Sequence, residues 1–225
     1  MNHFDSLFNN YAIGLREVLQ SYLKGETPET LKKASEYLHK AKESAPAPYE
    51  IDHPDYFNQL NEYSKFRSLC FGFHQSMVEI GIYAPISKEG CNILNTLING
   101  RQIIDPIAGR GFIAKGLREL GANVLAGDLH PHNPVTEIEQ IHAMDLITKA
   151  DDDAILLLAW PPTGNLDHKL AKRWGEREII LIGEPGGCTG SQKFCNQYEA
   201  KTIDTPDDVL LHLNHEWSIG KFTGN

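Results

Sequence analysis

Over residues 4 to 23, Phe4, Phe8, Tyr11, Leu15, Val18 and Tyr22 recur at steps of three and four, with Leu7 and Leu19 beside them. That spacing predicts one strongly apolar helix face. Gly25 ends it. Thr27-Pro28-Glu29 opens a second helix, an N-cap followed by proline in the first turn, which carries Leu31, Ala34, Leu38 and Ala41 until Ala45-Pro-Ala-Pro48 breaks the chain. A third helix, from about Pro54 to Gly81, repeats Phe57, Leu60, Tyr63, Phe66, Cys70, Phe73, Met77 and Ile80. A fourth runs from about Lys88 to Asn99 and stops at Gly100. Residues 1–100 therefore read as an N-terminal helical cap without repeats or low-complexity segments.

From residue 101 the pattern changes to short apolar runs alternating with helical periods. Arg101-Gln-Ile-Ile-Asp105 is a strand ending on an acid; Gly109 and Gly111 follow, and then Ile113, Leu117 and Leu120 recur at helical spacing. At such a turn glycine lets the backbone approach a ligand, and the free N–H groups of the helix start face it. A second strand, Asn123 to Asp128, ends on an acid 19 residues after Gly109, where a carboxylate can accept both hydroxyls of a ribose. Two further strands are predicted to end at Ile141-His-Ala-Met-Asp145 and at Ala154 to Trp160-Pro161-Pro162. In an open parallel sheet these endings converge on one crevice. Beyond them come a helix to Trp174, a strand Glu178–Ile182, the loop Gly183–Gly190, a helix near 191–199, and strands near Lys201 and over 217–222.

At these residues the chain resembles the class I S-adenosylmethionine-dependent methyltransferases, over about residues 100 to 225. Asp105, Gly109 and Gly111 match the family's first motif, with Ile107 where its first glycine stands. The stretch Asp-Pro-Ile-Ala-Gly-Arg-Gly is most similar to the Asp-Pro-Phe variant of enzymes that methylate exocyclic amino groups. Those enzymes, however, place Asn or Asp before the Pro-Pro pair, where this chain has Trp160, which points away from base amino groups. The resemblance implies a Rossmann-like methyltransferase sheet of about seven mostly parallel strands in residues 101–225. It implies S-adenosylmethionine as cofactor, held by Asp105, Ala108, Gly109, Gly111 and Trp160, with Asp128 on the ribose and Asp145 on the adenine.

Charge narrows the partners. The net charge is −9, with 9 basic and 12 acidic residues in the first hundred and 12 basic and 18 acidic in the rest. Neither half offers the positive field that phosphate backbones require, so the expected acceptor is a small molecule or a protein side chain rather than nucleic acid. Cys70, Cys91, Cys188 and Cys195 show no metal or redox spacing. With neither a leader-like start nor a run of about 18 apolar residues, a cytoplasmic protein away from membranes is expected.

Several residues keep two readings. Gly109-x-Gly111-x-x-Ala114 also fits a nicotinamide-dinucleotide fingerprint, although Asp105 and three more residues separate its glycines from the strand. Trp160 and Glu184 can reach a transferring methyl group as catalytic residues, or serve as core aromatic and loop carboxylate. His130 and His132 are candidate bases or rim residues, and His212 and His215 lie near the end of the chain. The cap helices need a partner surface in one another, on the sheet or in a second chain. Roofing the cleft would bring Tyr63, Phe73 and Tyr83 to the substrate. A methyltransferase-like module that binds a nucleotide-type ligand or a protein partner without catalysis is the rival to the enzyme.

Overall fold

The computed structural model describes residues 3–29, 31–32, 35–36, 56–205 and 215–224. Seven strands form one sheet: β1 Ile103–Asp105, β2 Val124–Asp128, β3 Glu139–Gln140, β4 Ile155–Ala159, β5 Glu178–Gly183, β6 Tyr198–Ile203 and β7 Glu216–Phe222. Their spatial order is β3-β2-β1-β4-β5-β7-β6. The first five run parallel, and β7 is antiparallel to both neighbours. The helices are α1 His3–Leu23, α2 Tyr56–Glu79, α3 Lys88–Ile98, α4 Phe112–Glu119, α5 Ala143–Leu146, α6 Leu166–Trp174 and α7 Gln192–Cys195, with a 3-10 turn over Ile147–Lys149.

The central strands are uniformly apolar because both of their faces are covered, and the two-residue period of a strand divides their side chains between two cores. Ile103, Ile155, Leu157, Ile180 and Ile182 join Tyr11, Leu15, Tyr22, Phe66, Met77 and Leu94 in one cluster. Ile104, Leu156, Leu158, Ile179 and Leu181 face the other way, onto Leu146, Leu170, Trp174 and Phe194. The N-terminal helices thus pack against one face of the sheet. Tyr22, fully buried, bonds through its hydroxyl to the backbone of Ile86. Ser87 then caps α3 by accepting the Gly90 N–H.

Two predicted elements are corrected. The third strand was expected over Ile141–Asp145 but is confined to Glu139–Gln140, and Asp145 falls in α5. The His142 ring accepts the Met144 N–H and starts that helix, so the Ala-Met-Asp-Leu run buries its apolar side helically. The helix expected over 191–199 ends at Cys195 because Tyr198 already pairs with Phe222. Of the second predicted helix, Ala34, Leu38 and Ala41 lie outside the described residues, as does His212.

Candidate functional site

The carboxyl ends of β1, β2 and β4 open onto a cleft of about 630 Å³, with Cys188 of the loop after β5 also on its wall, within the range of small-molecule sites. Pro106, Ile107 and Gly109 line it after β1, Asp128 and Leu129 after β2, His142 and Ala143 before and in α5, and Trp160 to Thr163 after β4. His74 and Val78 of α2, with Tyr83, close the far wall. No lysine or arginine lines the cleft among the described residues.

Asp105 ends β1 in the sheet interior and is only 2% exposed. Its Oδ1 has no hydrogen-bond partner. Burial pushes its carboxyl up to about 7; the Ile107 N–H it accepts and the Arg118 charge oppose that shift, while neighbouring Asp128 adds to it. Asp105 lines a second hollow of about 50 Å³, shared with Gly81, Ala108, Gly109, Gly111 and Ala159. Tyr83, Ile107, Gly109 and Ala159 border both spaces.

The turn after β1 is held from several sides. Ala108 N–H donates to the Gly127 carbonyl at 3.0 Å, and Gly109 N–H to Asp128 Oδ2 at 2.9 Å. The other Asp128 oxygen accepts the His130 N–H at 2.9 Å. Gly109 has φ +55° and room for a Cβ, whose nearest neighbour would be the Gly81 carbonyl oxygen at an ordinary contact distance of 3.8 Å. Gly111 is different: with φ +80°, its Cβ would meet Ile138 Cδ1 at 2.6 Å. It is a packing glycine, pressed by the loop before β3.

Trp160 has φ +48°, a conformation a bulky residue adopts only at a cost of about 1–3 kcal/mol. The strain turns its ring into an aromatic group. The His74 ring stands edge-on to the indole at 5.2 Å between centroids, and the His215 ring stacks on it at 6.0 Å and 26°. Trp160 Nε1–H lies 3.3 Å from His215 Nδ1 and Trp217 Nε1–H lies 3.2 Å from His215 Nε2, and a neutral His215 ring accepts from one of the two. Burial and the nearby His74 depress the His215 pKa to about 4, against the pull of Glu184. The His74 pKa is also lowered by burial, again opposed by Glu184. Both imidazoles are neutral at pH 7.

The other predicted positions divide. Asp128, Gly109 and Trp160 line the cleft, while Asp105, Ala108 and Gly111 line the hollow beside it. Asp145 is exposed and lines neither space. Glu184 turns back on its own loop, where its Oε2 accepts the Cys188 N–H at 2.8 Å, and it is not a lining residue. His130 and His132 are exposed. Of the cap aromatics, Tyr83 lines the cleft, Phe73 is in the core and Tyr63 packs against it. His74 was not foreseen. Its one sequence signal is an ionisable residue between the buried positions Phe73 and Met77 of an apolar helix face.

This is an α/β fold with a doubly wound, mostly parallel seven-stranded sheet whose β7 is antiparallel, consistent with the expected Rossmann-like methyltransferase sheet. No protein-family model matches the chain, and no curated protein matches it. A solved structure that does match is from Listeria monocytogenes and is provisionally described as a class I S-adenosylmethionine-dependent methyltransferase. The match covers 98% of this chain and 88% of that one, at 11% identity and a TM-score of 0.38. A likeness of that size adds nothing to what the strand order itself states.

Proposed function

We infer that the cleft binds S-adenosylmethionine and that the chain transfers its methyl group to a small molecule or a protein side chain. The observation that carries this reading is Asp105, a buried carboxylate with an unpartnered oxygen beside a glycine turn. A buried acid without a full set of partners is costly, and a cationic or N–H-bearing ligand relieves that cost. Ala108, Gly109 and Gly111 line the approach to it, and Asp128, one strand over, offers acceptor capacity for ribose hydroxyls. Leu129 and His142 flank Asp128 in the cleft wall and take the place on the adenine side that position alone would give to Asp145. S-adenosylmethionine supplies a methyl group on an activated sulfonium, so the protein's part is to align and desolvate.

Titration calorimetry with S-adenosylmethionine, S-adenosylhomocysteine and NAD tests this. Asp128→Ala is expected to weaken the first two by about 1.5–3 kcal/mol, the scale of hydrogen bonds to a charged group. Binding of NAD alone would install the dinucleotide reading. The non-catalytic module is favoured by one observation, the Glu184 carboxylate engaged with its own loop. A folded parent that binds none of the three ligands would favour it.

A further inference from the structure

We propose that His142 reads the base of the cofactor by presenting an Nε2–H donor to a ring nitrogen of the adenine. The inference rests on the methyl-transfer reading for the cofactor's identity, and it reverses the polarity expected on the adenine side. A carboxylate at Asp145 can only accept a hydrogen bond, from the exocyclic amino group, whereas this imidazole donates one.

The backbone sets His142 beside Asp128. The Ile141 N–H donates to the Asp128 carbonyl at 3.0 Å. Ile141 and Leu146 also press on the preceding strand residue, Gly127, where a Cβ would meet their side chains at 2.7 and 3.0 Å. The ring's own bonding then sets its polarity. The Met144 N–H donates to His142 Nδ1 at 3.2 Å, and a neutral imidazole has one bare nitrogen, so that bond leaves the ring proton on Nε2. Nε2 has no protein partner among the described residues, and the exposed ring lines the cleft. On the same wall Leu129, a leucine 49% exposed at the end of β2, and Ala143 offer apolar contact to a flat base. Asp128 stands next to them with its carboxylate toward the ribose side. An Nε2–H donor set among apolar neighbours favours a base that turns a bare ring nitrogen to it, because a C–H in that place leaves the donor without a partner.

The test is titration calorimetry of the full chain with S-adenosylhomocysteine and with its 1-deaza, 3-deaza and 7-deaza analogues, each of which has carbon in place of one ring nitrogen. One analogue is expected to bind the parent about three- to tenfold more weakly than S-adenosylhomocysteine, the scale of one uncharged hydrogen bond. His142→Asn keeps a side-chain oxygen for the Met144 N–H, since asparagine is a good residue at a helix start, and removes the donor. In that variant S-adenosylhomocysteine is expected to weaken by the same factor and the analogue to match it within about twofold. A purely structural role would weaken all four ligands alike and leave the analogue's penalty in place. The proposal is overturned if no analogue carries a penalty that disappears in His142→Asn. If the parent binds no S-adenosylhomocysteine, the methyl-transfer reading fails; adenosine and its three deaza analogues then make the same comparison for the base alone, and absence of adenosine binding overturns this proposal as well.

Discussion

Replacing Asp105 by Asn is expected to stabilise the ligand-free protein at alkaline pH while weakening its cofactor site. Asp105 is buried, its Oδ1 is unpartnered, and its carboxyl is raised to about 7 by desolvation. An unfolded aspartate titrates near 3.9, so around neutrality the folded state holds a proton that the unfolded chain has already lost. Stability linked to this group is therefore full below about pH 3.9 and lost progressively as pH rises to about 7. From pH 5.5 to pH 8.5 the loss is about 2 kcal/mol. Asn is neutral at both ends of that window and still offers an oxygen to the Ile107 N–H that Asp105 accepts. Other groups titrate over the same range, but they are common to parent and variant and cancel in the difference.

Urea unfolding of both proteins at the two pH values reads this directly. The stability difference between variant and parent is expected to move by about 2 kcal/mol in favour of Asn at pH 8.5, or about 4–8 °C in midpoint for a chain of this length. Calorimetry on the same samples is expected to show weaker binding of S-adenosylmethionine to the variant, as when a site's stored strain is released. A difference unchanged between the two pH values would mean that Asp105 is not a buried acid held above its ordinary range. The reasoning from its unpartnered oxygen would then fall with it.

Gly111→Ala is expected to destabilise the fold by about 1–3 kcal/mol in urea, because the new methyl meets Ile138 at 2.6 Å in a backbone conformation with φ +80°; Gly109→Ala, with room for its Cβ, carries only the conformational cost. His215→Ala removes the ring stacked on the Trp160 indole and the acceptor that Trp160 and Trp217 share. It is expected to destabilise the fold by about 1–3 kcal/mol in urea unfolding, the scale of a buried donor left without its acceptor, and an unchanged stability would refute the role of His215 in holding the indole. Hydrogen exchange with S-adenosylhomocysteine is expected to protect residues 74–84 together with 105–130, since His74, Val78 and Tyr83 line the cleft; protection of the second stretch alone would refute the expectation that the cap helices roof the cleft.

The sheet was legible in the sequence wherever chemistry and periodicity agreed. Asp105, Gly109, Gly111 and Asp128 punctuate buried apolar runs, and a parallel strand covered on both faces has little choice but to be such a run. The third strand falls elsewhere because Ile141-His-Ala-Met-Asp-Leu has no clear period, and the bond of the Met144 N–H to the His142 ring is a local cap that competes with strand pairing. The placement of Glu184 was equally invisible. A loop rich in glycine lets the chain fold back, and Gly187 leaves the room that its carboxylate occupies.

What sequence periodicity could least reveal is the join between the helices and the strand ends, because it depends on side chains from distant parts of the chain. The end of α2 is tied to the glycine turn by Arg110, whose guanidinium donates to the Ile80 carbonyl at 3.1 Å and to the Asn133 carbonyl at 3.1 Å. The same side chain lies against Gly81 and over the Phe112 ring. A ligand that orders the backbone of Gly109 therefore acts on a residue bonded to the start of the far wall, three residues before Tyr83 and six after His74. Helix and turn are two sides of one cleft, and Arg110, between Gly109 and Gly111, bonds one to the other.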